Sequence, residues 1–298
     1  MTKIKKFYGP MALVLLVLLT SGSLWAIQNH RNAADREKPN QSVVLQPPPK
    51  PQPSPRSETG LPVVPVVATV EQLRALYAQA QEQLYNSPSS SAYTRALELL
   101  WRVRDLVDQA ELSEVEHLYW LGRIEFDLGS WYQGAVYGEG PEAQRALPYY
   151  ERAYQLAQEL VQRAPEFSEG HRLLGESLMR VISLKGWFHA LVHARTAKEA
   201  LERALVLDPQ NAEAHLALGV YYLYAPALFG GDLHRALSEF AQSEALTSNE
   251  TVRFLSHRWS GVAYAKLGKI TEAREAFERA LAIYPNSAWD RNELNKLR

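Results

Sequence analysis

Two histidines, His189 and His193, stand four residues apart in the segment HALVH. On a helix that spacing puts both imidazoles on one face, as in zinc-binding HExxH helices. Ala190 occupies the place of the glutamate base and no third ligand is evident, so a pair of solvated or partly buried side chains describes them better than a metal centre. The carboxylates are dispersed, with no pair that periodicity brings together for acid–base chemistry. There is no GxSxG elbow, no GxGxxG and no P-loop. Cysteine is absent, which removes disulfides, thiolate zinc sites, iron–sulfur clusters, thiol catalysis and acylation on an N-terminal Cys. Gly230-Gly231-Asp232 reads as a tight turn with positive φ followed by an Asp N-cap, since a phosphate cradle needs more donors and a lysine. The chemistry-bearing residues thus imply no enzyme, no metal and no cofactor.

What positions these residues is a chain of 298 residues whose near-neutral charge is a sum of unlike parts. Residues 1–38 carry six Lys/Arg and two Asp/Glu, and the remaining 260 carry 26 and 31. The acidic body excludes broad electrostatic attraction to nucleic acid. Lys3, Lys5 and Lys6 precede the apolar run Met11–Ile27. Residues 1–30 therefore read as a membrane anchor, with a cleaved signal peptide as the alternative. Either way the lysines keep the N-terminus inside and the body is exported. Expected locations are a single-pass cell membrane protein with a cytoplasmic N-terminus and a periplasmic or extracytoplasmic body, or a secreted one after cleavage. Residues 31–69 read as a disordered linker, because nine of the 27 residues from 39 to 65 are proline. Such a run excludes helix and sheet and predicts an extended polyproline II spacer of about 3.1 Å per residue.

From residue 70 to 298 the sequence reads as helices with an internal repeat. Three blocks align on Gly175, Gly219 and Gly261. In the last, Gly261, Tyr264, Ala273, Phe277, Ala280 and Pro285 occupy offsets 0, 3, 12, 16, 19 and 24. This pattern resembles the tetratricopeptide (TPR) family, whose units are pairs of antiparallel helices. Physically, small residues let the helices of a pair approach, Phe277 fills the space between them, and Pro285 ends the second. The register extends back through Gly219, Tyr222, Ala236, Phe240 and Ser243, then through Gly175, Leu178, Ala197, Leu201, Ala204 and Pro209. Gly122, Ala153, Ala157 and Pro165 mark an earlier unit, and a first pair falls at about 70–85 and 91–110, with Ala80 and Ala96. Residues 286–298 read as the polar cap that a solenoid end requires. The expected fold is all-α: a right-handed TPR-like solenoid of about five helix pairs with lengthened inter-helix loops, plus the N-terminal apolar helix.

The aligned glycines are 53, 44 and 42 residues apart, beyond the 34 of the family. The extra residues carry aromatics: Trp131, Tyr132 and Tyr137; Trp187 and Phe188; Phe229. They are expected to line one rim of the array, as a small apolar ligand site or as structural packing. The Gly-Gly-Asp insertion after Ala-Pro-Ala-Leu-Phe further resembles TPR-type T-components of TRAP-type transporters and related envelope TPR proteins, which implies an exported partner of a solute-binding protein. The typical T-component is anchored through a lipidated Cys, which this chain lacks. His171, His215 and His257 each lie four residues before their glycine, a slot in which the resemblance implies packing.

The resemblance also implies a concave groove lined by Tyr119, Arg123, Phe126, Arg172, Glu176, Met179, Leu216, Val220, Leu223 and Arg258. Such a groove suits a peptide with aliphatic anchors and a carboxylate. Glu176 and Val220 stand where the carboxylate-clamping proteins have asparagine, so that specific activity is not implied. The expected function is a non-enzymatic, membrane-tethered TPR scaffold that binds a partner protein in this groove. The alternatives are an accessory protein using the aromatic rim for an apolar ligand or a solute-binding protein, and self-association as a structural protein.

Overall fold

The computed structural model describes residues 69–87, 89–134 and 143–298, so the apolar run Met11–Ile27, residues 31–68 of the linker and Tyr137 lie outside the described residues. Among the described residues there are eleven α-helices and no strand. They are α1 Val70–Tyr85, α2 Ser90–Val107, α3 Glu114–Gln133, α4 Ala146–Arg163, α5 Ser168–Lys185 and α6 Trp187–Leu207. Then follow α7 Ala212–Tyr224, α8 Leu233–Ala245, α9 Glu250–Lys266, α10 Ile270–Ile283 and α11 Ala288–Lys296. No described helix is long and apolar enough to cross a membrane.

Local chemistry sets most boundaries. Thr69 and Ser113 begin α1 and α3 with reciprocal capping boxes to Gln72 and Glu116, each satisfying two orphan donors. Asn211, Asp232 and Asn249 cap α7, α8 and α9. Gly230 turns the chain with φ +86° just before Asp232, as its sequence predicts. Pro165, Pro209 and Pro285 follow α4, α6 and α10, and the Pro carbonyls meet a side chain six residues on. His171 Nε2 lies 2.8 Å from the carbonyl oxygen of Pro165, His215 Nε2 3.2 Å from that of Pro209, and Arg291 Nε donates over 2.9 Å to that of Pro285. Two slot histidines thus tie the end of one pair to the start of the next. The third, His257, is buried and faces Glu244 at 3.3 Å.

Helices pair as α1/α2, α3/α4, α5/α6, α7/α8 and α9/α10, with α11 closing the end. A Cβ on Gly175 would sit 2.6 Å from Leu201 and 2.8 Å from the Ala197 carbonyl oxygen; one on Gly219 would sit 2.5 Å from the Phe240 ring, and one on Gly261 2.8 Å from that of Phe277. The aligned glycines are therefore the points where one helix of a pair receives the bulky residue of the other. The excess over the family period lies partly in helix length: α5 and α6 run 18 and 21 residues and are separated by Gly186 alone. Between α7 and α8 it lies instead in a loop containing the short 3-10 turn Ala227–Phe229.

The odd-numbered helices α3, α5, α7 and α9 contact one another in order, and α1 also reaches α9. Together they form an inner face whose two ends α1 joins. Replacing Gly219 by Ala puts a methyl into the fully buried Phe240 ring. The substitution should cost about 1–3 kcal/mol, as overpacking does, read by urea unfolding. Adding Phe240→Leu should recover part of the loss, since the two sites share one space.

Candidate functional site

The inner face is built around two buried guanidinium groups. Arg123 on α3 and Arg172 on α5 are both buried, Arg172 fully. Arg172 Nε donates to Glu169 Oε2 over 2.8 Å, its Nη1 meets Glu176, and its Nη2 lies 3.4 Å from Glu213 Oε2. Arg123 Nη1 reaches the same Glu213 oxygen at 3.1 Å and Glu176 Oε2 at 3.6 Å. Glu213 belongs to α7, so three helices meet in one ionic cluster. Buried charges persist only when paired in this way.

α1 completes the cluster. The Tyr77 hydroxyl accepts from Arg123 Nε at 3.2 Å and donates to Asp127 Oδ2 at 2.6 Å. Its ring stands edge-on to Trp120, with centroids 5.3 Å apart. Eight residues along the same helix, Tyr85 packs against Phe254 of α9 at 5.8 Å and under the Arg258 guanidinium at 5.5 Å. Arg258 is itself buried and donates from Nε to both Asp290 oxygens, at 3.1 and 3.0 Å, and from Nη2 to Ser287 at 3.0 Å. Asn86, just beyond α1, accepts from the Asn286 amide at 2.9 Å.

These placements refine the expected groove. Tyr119, Arg123, Phe126, Arg172, Glu176 and Arg258 do gather on the odd-numbered helices. The expectation of arginines open to a partner's carboxylate is corrected: all three are buried and paired within the chain. Leu216 and Leu223 are also buried, whereas Met179 and Val220 are half-buried. Tyr119 donates to Glu169 at 3.0 Å. The reading of the carboxylates as dispersed is likewise corrected, because Glu169, Glu176, Glu213 and Asp127 converge from three helices. Asp127, Glu169, Glu213 and Tyr77 were not singled out from the sequence. Arg123/Asp127 at i,i+4 and Glu169/Arg172/Glu176 at i,i+3 and i,i+4 were the available signal.

The cluster sorts its carboxyls. Burial works against ionisation of Glu169, yet Arg172, Arg123 and Asn211 overcome it and hold the carboxyl down at about 2. Burial prevails over Arg172 and Arg123 at Glu176, and over Arg123 and Tyr77 at Asp127, and pushes both carboxyls up. Burial also raises the Tyr77 hydroxyl. A carboxylate clamped at about 2 is a weak base at neutral pH. Beside it opens a cleft of about 440 Å³, lined among others by Phe167, Glu169, Asp208, Asn211, Glu213 and Asn249. Asn211 and Asn249 spend their side-chain oxygens on capping Ala214 N and Val252 N.

The aromatic rim divides. Trp131 and Tyr132 are buried, contrary to the expected rim, because α3 continues through them to Gln133. Trp131 stacks on Tyr93 at 5.1 Å and donates from Nε1 to the Tyr93 carbonyl over 2.7 Å, while Tyr132 stacks on Tyr149 at 5.1 Å. Trp187 and Phe229 do meet, at 5.6 Å, and Phe188 beside them is exposed. His189 and His193 lie 4.3 Å apart by ring centroid, with no third ligand grouped near them among the described residues.

Two outcomes follow from the cluster. Arg172→Met leaves Glu169 and Glu213 short of their cation and should cost about 3–5 kcal/mol, as breaking a buried pair does, in urea unfolding. The Glu169 carboxyl titrates lower folded than its ordinary 4.5, so its contribution is present above that value and lost as pH falls toward about 2. Melting temperature followed from neutral to acid should accordingly fall less steeply in Glu169→Gln than in the parent, from a lower starting value.

The sequence profile described as "RMD1-3: Regulator of microtubule dynamics protein 1-3" matches residues 70–298. That family differs from the T-components that the Gly-Gly-Asp insertion resembles. No curated protein matches the chain. Similar solved structures include TTC0263, a thermophilic TPR protein of Thermus thermophilus, at 22% identity over 70% of this chain and 91% of that one, with a TM-score of 0.49. MamA is 18% identical over 67% of this chain and 97% of its own, TM-score 0.36. YrrB, described as a TPR protein with an unusual peptide-binding site, is 19% identical over 72% and 96%, TM-score 0.37. With eleven helices among the described residues, ten of them in pairs, and a family match over 70–298, this chain is a TPR-like helical repeat protein that belongs to the regulator of microtubule dynamics protein 1–3 family.

Proposed function

We propose that this chain is a non-enzymatic, membrane-tethered scaffold whose inner face binds a segment of a partner protein beside α1. The single observation that carries the reading is the part of the inner face that α1 leaves open. Arg180 lies one turn beyond Glu176 and Tyr224 one turn beyond Val220. Arg180 stacks over the Phe126 ring at 5.8 Å, and Tyr150, Tyr85 and Glu176 beside it favour its charged form. Tyr224 is 53% exposed and stands edge-on to Trp259 at 5.8 Å, with Lys266 over its ring at 5.3 Å. A cation, two aromatic faces and the half-buried Met179, Val220 and Val262 suit a peptide that offers apolar side chains and a carboxylate.

Tethering rests on Met11–Ile27 with its preceding lysines and on the proline-rich segment that follows. On this reading the anchor holds the N-terminus on the cytoplasmic side and the repeat body on the other. Cleavage and secretion is the alternative. Crosslinking in the native envelope, followed by mass spectrometry of the captured chain, tests both parts. Recovery of residues 1–26 supports the uncleaved anchor, and their absence supports cleavage. Arg180→Glu with Tyr224→Ala should abolish the crosslinked partner while the unfolding transition stays cooperative. Unchanged partner recovery from the variant would contradict inner-face binding.

A further inference from the structure

Three successive connections join the first to the second helix of a pair, at α5–α6, α7–α8 and α9–α10, and all three expose apolar side chains. At the first, Trp187 is 51% and Phe188 83% exposed, with Leu191 and Val192 beside them. At the second, Leu228 is 74% exposed, and at the third Ile270 is 44% exposed. These turns form one continuous edge: Trp187 meets Phe229, and Tyr224, which precedes the second loop, lies under Lys266 of the third. The large exposed hydrophobics of the described residues are concentrated here, with Val206 the exception.

Positive charge predominates in the turns of this edge. Five lysines occur from residue 69 onward, and Lys185, Lys266 and Lys269 flank these turns. Asp232 is the single carboxylate in segments 185–192, 225–232 and 266–270. It is occupied by the amides of His234 and Arg235, which it caps. Lys185 pairs with Glu151 at the base of the first turn, while Lys266 and Lys269 are exposed. Apolar tips interleaved with long cationic side chains on a body of net negative charge suit a surface of phosphate headgroups over acyl chains. Tryptophan favours that depth, and lysine extends its ammonium toward the headgroups.

We propose that this edge is a lipid-docking surface that seats Trp187, Phe188, Leu228 and Ile270 in the headgroup region of an anionic bilayer. The proposal rests on the tether reading for proximity only. Nine prolines among the 27 residues from 39 to 65 favour polyproline II, in which 27 residues would span about 80 Å at about 3.1 Å each. A 20-residue helix is about 30 Å long, so a tether of that span would let any edge of the array meet the membrane. Held close in this way, the edge needs little affinity of its own. A second copy of the chain is the competing occupant.

The absence of cysteine makes single labelling sites clean. Full chains carrying Phe188→Cys, Leu228→Cys or, on the outer face of α10, Glu278→Cys are labelled with a nitrobenzoxadiazole fluorophore. They are then mixed with vesicles of phosphatidylcholine, with or without phosphatidylserine. Emission at 188 and 228 should shift to the blue and rise several-fold with phosphatidylserine present. A nitroxide near the headgroup should quench it more than one deep in the acyl region, and the label at 278 should not respond. If the chain co-floats with vesicles but the labels at 188 and 228 do not respond, the tether reading stands and docking is overturned. If the chain does not co-float at all, both fail. A blue shift that grows with protein concentration without vesicles assigns the edge to a second copy and overturns the lipid proposal.

Discussion

A guanidinium removed from water is tolerated only where carboxylates meet it, and Arg172, fully buried, binds the rest of the structure to that condition. Its partners are Glu169 and Glu176 on its own helix and Glu213 on α7. The register of α5 against α7 is therefore set by charge, while the fit of Gly175 to Leu201 sets α5 against α6. Arg123 shares Glu176 and Glu213 and passes the network to Tyr77 and Asp127. α1 is held on the inner face because its tyrosine satisfies groups that α3 cannot satisfy alone. Burial of this kind adds little net stability over an apolar core, but a misplaced helix would strand a charge.

How much of this was legible follows from the range of each interaction. The pairings of Gly219 with Phe240 and of Gly261 with Phe277 each lie within one helix pair, at offsets of 21 and 16 residues, so the repeat register was readable. The Asp232 cap and the Gly230 turn are more local still. Trp131 and Tyr132 were misplaced because nothing between Glu114 and Gln133 marks their helix as continuing, and their partners Tyr93 and Tyr149 lie on α2 and α4. Arg172 with Glu176 is visible as an i,i+4 pair, but the arrival of Glu213 from α7 is not. The contact of α1 with α9 is least legible, since it depends on the summed rotation across three intervening pairs.

Filling the inner face from within divides the surface into two kinds. Residues near α1 are spent on closure: Arg123, Arg172 and Arg258 all answer to carboxylates of the same chain. What remains open is the strip of Arg180, Tyr224 and Trp259, and the edge of turns from Trp187 to Ile270. One presents a cation among rings along helices, and the other presents apolar tips and lysines on loops. On the two proposals, the peptide strip and the bilayer edge adjoin at Tyr224 and Lys266.

The central claim, that α1 is a fixed part of the inner face, is tested most directly by hydrogen–deuterium exchange along the chain. The account predicts that amides from Leu73 to Tyr85 are protected as strongly as those of the adjoining parts of α3 and α9. It further predicts that Tyr77→Phe lowers protection in α1 and around Arg123 together. Rapid exchange through α1 while α3 and α9 stay protected would contradict it, because the inner face would then be open along its whole length.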